Sequence, residues 1–103
     1  MLFKRRFSDV VRRQLDLFER GQAELIQECN EAEEAYDRAP REDSEELYGD
    51  YMDLVETGTE ALAELRDHYA ATLSAEAAEE YMDGFNRAVL KRLPRFALEI
   101  EDT

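Results

Sequence analysis

The chain has 103 residues, 38% of them charged and 44% hydrophobic, with 26 acids against 13 lysines and arginines and a net charge of −13. That length suits one domain with a single core and is too short for two. The hydrophobic share excludes a disordered acidic tail, and the apolar runs fall short of the roughly 18 residues a membrane span needs.

Along the first third, Phe7, Val11, Leu15, Phe18, Leu25, Cys29, Ala32 and Tyr36 recur at spacings of three, four and seven. At 100° per residue they gather on one face, which predicts a single long helix over about 6–38. Arg5, Asp9, Arg12, Asp16, Arg20, Gln27 and Glu34 fall opposite, and Gly21 falls on the apolar stripe, where it would allow close backbone approach or a slight bend. Pro40 then disfavours helix at Ala39. Asp43 with Glu46 has capping-box spacing, and Ser44 is an alternative cap, so a second helix is expected over about 44–71. Its apolar face is Leu47, Tyr51, Leu54, Val55, Ala61, Leu62, Leu65 and Tyr69, again with Gly58 on the stripe. Ser74 is a natural N-cap for a third helix over about 75–93, packed through Ala78, Tyr81, Met82, Phe85, Val89 and Leu93 and closed by Pro94. Residues 94–103 read as a tail, partly frayed.

Short connections make neighbouring helices antiparallel, so the expected fold is all-α, one domain over 1–103, an up-down-up three-helix bundle with coiled-coil-like packing. At about 1.5 Å per residue the first helix is near 50 Å long and the third near 30 Å. Part of the first stripe is then left without an intramolecular partner. Val11, Phe18, Leu25 and Ala32 are the residues expected to continue the core into a second copy.

The cations lie at the two ends of the chain: six against three anions in residues 1–20, three against twenty in 21–86, and four against three in 87–103. In an up-down-up bundle Arg12 and Arg13 stand level with Asp67 and His68, and Arg87, Lys91, Arg92 and Arg95 stand level with Glu56, Asp53 and Asp50. An internal charge match is therefore the first reading of the basic start. Contact of residues 1–13, with Phe3, Phe7, Val10 and Val11, with a membrane surface is the second. Nucleic acid would be repelled by the remainder of the chain.

The second helix carries Asp50, Asp53, Glu56, Glu60, Glu64 and Asp67 on one face with no cation among them. Like charges three and four apart repel by a few tenths of a kcal/mol per pair. A solvated face is one explanation, and the arginine-biased, acidic composition also fits a salt-adapted protein. A docking surface for a basic protein is the sharper one, including a phosphate mimic that occupies a nucleic-acid-binding protein.

Carboxylate-bridged metal bundles use Glu-x-x-His. Here Glu64 and His68 are four apart, so a ferritin-like metal site would need copies shared across a dimer. Cys29 lies on the apolar stripe, about 24 Å along the bundle from the level of His68, too far for a nucleophile–base pair. One cysteine and one histidine cannot close a zinc site or an intramolecular disulfide. The five tyrosines, mostly beside the apolar stripes, suit core edges or a protein interface. No phosphate loop or serine-nucleophile motif occurs, so no catalytic residue and no cofactor are assigned. With no leader pattern at its start, the chain reads as a cytoplasmic, self-associating interaction or assembly module, a dimer in the first instance.

Overall fold

The computed structural model describes residues 6–98. Among them are four α-helices: α1 (Ser8–Gly21), α2 (Ala23–Asp37), α3 (Arg41–Ala70) and α4 (Ala75–Arg92), then a 3-10 turn at Pro94–Phe96. The all-α class holds, but the three-helix bundle does not, because the expected helix over 6–38 is two helices. The interruption is one residue wide. Gln22 takes φ −111° and ψ 27°, yet its N–H still donates to the Phe18 carbonyl at 2.8 Å and its own carbonyl accepts from Ile26 at 3.0 Å. Gly21, a poor helix former, ends α1 and makes this the weakest point of the run. It is exposed, and a Cβ added to it would meet nothing within 4 Å, so the close approach expected there is absent.

Helix α3 starts three residues earlier than its sequence caps imply. Pro40 occupies the N-cap in extended conformation, a position where no backbone N–H is needed. Glu42 and Asp43 sit in the first turn, favourable to the helix dipole. The Ser44 hydroxyl caps nothing and donates to the Arg41 carbonyl at 3.0 Å. At the next corner Ser74 is the N-cap of α4, its Oγ accepting from the Ala77 N–H at 3.2 Å.

Helix α2 packs on α3, and α4 packs against both α3 and α1. Arg6 meets Glu80 near the start of α1, and Arg92 meets Asp16 and Glu19 near its end, so α1 and α4 run in the same direction. Helix α3 opposes both: Arg66 reaches Asn86, and Arg95 reaches Tyr51. The molecule measures 51 × 27 × 23 Å.

Buried residues from every element meet in one core: Val11, Leu15 and Phe18, then Cys29, Val55 and Leu62, then Tyr81, Phe85, Val89 and Phe96. Tyr81 is its aromatic hub, with ring centroids 4.8 Å from Tyr69, 5.6 Å from Phe7 and 5.9 Å from Phe85. Phe96 stacks edge-on to Phe18 at 5.8 Å and lies over Gly58, where a Cβ would stand 2.4 Å from its Cε1. Gly58 thus makes the close approach that its place on the stripe allows. Phe96 belongs to the core and not, as its sequence suggests, to a tail beginning at residue 94; residues 99–103 lie outside the described residues.

Candidate functional site

The core ends before the rod does. From residue 30 to residue 54 no residue is fully buried, because α4 and the turn after it reach only the level of Tyr51. Beyond that level the second half of α2 and the first part of α3 form a two-helix arm. Tyr36, Tyr48 and Met52 are exposed on it, with Tyr36 and Tyr48 rings 5.2 Å apart. Tyr48 and Met52 are one turn apart on α3 and form an apolar ridge. The arm is acidic, carrying Glu33, Glu34, Asp37, Glu42, Asp43, Glu45, Glu46, Asp50 and Asp53 against Arg38 and Arg41.

Between α1 and α4 lies a groove of about 590 Å³, within the size range of small-ligand clefts. Phe7, Val11, Leu15, Gly84 and Ala88 supply its apolar lining. Gly84 and Ala88, one turn apart, keep α4 low there, and a Cβ on Gly84 would meet nothing within 4 Å. Arg12, Arg87, Lys91 and Arg92 border the groove, with Glu80 and Asp83 as the opposing acids. Arg12 pairs with Asp9 at 2.8 Å and Arg87 with Asp83 at 3.3 Å. Lys91 makes no ion pair among the described residues.

The charge match at the C-terminal end of α4 is real but differently partnered than expected. Arg92 reaches Asp16 and Glu19 of α1. Arg95 donates to Tyr51 Oη at 3.1 Å, Asn30 Oδ1 at 3.0 Å and Glu33 Oε1 at 2.7 Å. Neither pairs with Asp50, Asp53 or Glu56. Those three, with Glu60, Glu64 and Asp67, are all exposed along α3. Asp67 accepts from Arg66 at 2.9 Å; the other five make no ion pair among the described residues.

Of the residues expected to face a second copy, Val11 and Phe18 are buried in the protomer's own core, and Leu25 and Ala32 are half-buried. The free apolar surface lies instead on the arm, in the groove, and at Leu17 of α1 and Leu90 of α4. Its signals in the sequence were Tyr48 and Met52, off the main stripe at helical spacing, and the small pair Gly84 and Ala88 beside cations. Lys4, Arg5 and Phe3 of the basic start lie outside the described residues.

Glu64 and His68 are exposed on α3 and line a shallow cleft of about 850 Å³ with Leu17 and Gln22. Among the described residues no three His, Cys, Asp or Glu side chains converge on a metal position. Cys29 is wholly buried and unpaired, and burial pushes its thiol above the ordinary value. A buried protonated thiol is a poor nucleophile. Among the described residues, no helix is long and apolar enough to cross a membrane. No protein-family model, curated protein or solved structure matches the chain.

Proposed function

We propose that this chain is a small helical interaction module that assembles with copies of itself. The observation that carries this reading is the arm: residues 30–54 hold no fully buried residue, yet they present Tyr36, Tyr48 and Met52 to solvent. Isolated two-helix hairpins gain little from packing, so an arm with exposed aromatic side chains is best stabilised by a partner. Tyrosine and methionine are enriched at such interfaces and the flanking acids suit their rim. Light scattering after size-exclusion chromatography over a concentration series tests the reading. A dimer or larger species is expected; a monomer at every concentration would overturn it.

A second reading draws on five carboxylates along one face of α3 that make no ion pair among the described residues, Asp50, Asp53, Glu56, Glu60 and Glu64. Spaced along one exposed stripe, they suit a basic partner, in the manner of a phosphate mimic. Neutralising Asp53, Glu60 and Glu64 together should abolish competition between this protein and DNA for a basic DNA-binding protein. Competition that survives the triple change rules the mimic out.

A further inference from the structure

We infer that the α1–α4 groove receives the arm of a second copy, so that the protein assembles head to tail. The inference rests on the self-assembly reading and adds which surface meets which. The two surfaces are complementary in three respects. The groove is an apolar trough of about 590 Å³ floored by Phe7, Leu15 and Ala88, and the arm is a ridge whose exposed apolar residues, Tyr48 and Met52, stand one helical turn apart. The groove is bordered by Arg12, Arg87, Lys91 and Arg92, the first, second and fourth of them paired with acids of their own molecule. The arm carries Glu45, three positions before Tyr48 and so beside its ridge. Lys91, without an ion pair among the described residues, is the cation most available to it.

The third respect is position. The groove lies between α1 and α4, and Tyr48 lies on the arm beyond the level of Tyr51, past the reach of α4, so ridge and groove stand at different levels of the molecule. An arm cannot fold back into its own groove. Contact between unlike surfaces of identical copies is heterologous, and it yields a ring where the rotation closes and a filament where it does not. Glu80 and Asp83 in the groove set a limit on the occupant. They disfavour a simple anionic ligand such as a fatty acid and are compatible with a tyrosine hydroxyl, which can donate to a carboxylate.

Two variants test the arrangement. Tyr48→Ser with Met52→Glu removes the ridge and leaves the groove; Gly84→Leu with Lys91→Glu fills and recharges the groove and leaves the ridge. Tyr48, Met52 and Lys91 are exposed and Gly84 faces open space, so both proteins should keep the helical circular dichroism of the parent, and Lys91→Glu alone replaces the groove variant should Gly84→Leu fail to fold. Each variant alone should be monomeric where the parent assembles, its dissociation constant raised at least tenfold. Mixed in equal amounts, they should form a dimer of one copy each and nothing larger, because only one intact arm and one intact groove remain. A parent that assembles while either variant still assembles as well, or variants that stay monomeric on mixing, would overturn the head-to-tail arrangement and leave self-assembly standing. A monomeric parent would overturn both.

Discussion

Gly58 and Phe96 occupy the same few ångströms between α3 and the turn after α4, and that crowding decides what a methyl group does at two positions of one helix. At Gly49 an added Cβ meets nothing, so Gly49→Ala should stabilise the protein by about 0.5–1 kcal/mol through backbone entropy. At Gly58 the same change places Cβ 2.4 Å from the Phe96 ring. Overpacking of about 1–3 kcal/mol there outweighs a propensity gain of about 1 kcal/mol. Urea midpoints should therefore move in opposite directions for the two variants. Tyr81 supplies a second contrast. Its hydroxyl donates to Gln14 Oε1 at 2.8 Å, and burial pushes its pKa up to about 12. The native state thus holds the proton after the unfolded chain, near pH 10, has released it. Its contribution is complete below about pH 10 and lost as pH rises toward 12. Tyr81→Phe should cost about 1 kcal/mol at neutral pH and flatten the alkaline limb of stability. Unfolding curves from about pH 8 to pH 12 check both effects.

Between elements, the C-terminal end of α4 is tied down by Arg92 and Arg95, which reach back to α1 and α2. The hydrogen bond from Arg92, the largest influence, holds the Asp16 carboxyl below its ordinary 3.8. A depressed carboxyl stabilises the fold above its ordinary value and loses that contribution as pH falls through the native one, so the loss belongs below about pH 4. Asp16→Asn should lower the thermal midpoint at neutral pH and make its fall in acid shallower. A calorimetric series from pH 7 to about pH 2 reads both. These pairs also show what the sequence could and could not reveal. The levels expected along the bundle are sound: Leu17 and Gly21 share a cleft with Glu64, His68 and Ala61. The partners are not, because spacing along a helix gives level and face but not which of two neighbours that face meets. The break at Gln22 was hidden since the apolar stripe resumes at Leu25 and no proline or cap marks the interruption. Phe96 was illegible for a different reason: three residues of a turn show no periodicity, and only contact with Gly58, 38 positions away, makes it core.

At the scale of the whole molecule, two electrostatic effects on assembly have opposite salt dependence, and their ranges separate them. Each copy carries a net charge of −13, so copies repel along their full length. The attraction between Lys91 in one groove and Glu45 on the next arm is local, acting across a few ångströms of contact. At about 0.01 M salt the screening length is about 30 Å, longer than the 23 Å thickness of the rod, so repulsion reaches from one body through the other. At about 0.1 M it is about 10 Å, which removes most of that repulsion while contacts between touching groups persist. Near 1 M, with a length of about 3 Å, the local pairs fade as well. Assembly should therefore tighten from low salt to about 0.1 M and loosen again toward 1 M, its affinity passing through a maximum. Lys91→Glu should weaken assembly and remove the loosening at high salt, since the attraction that salt would screen is already gone. Light scattering across that range decides the matter. A rise that continues unbroken to 1 M would mean that the apolar ridge alone holds the copies together and that the cations around the groove contribute nothing to assembly.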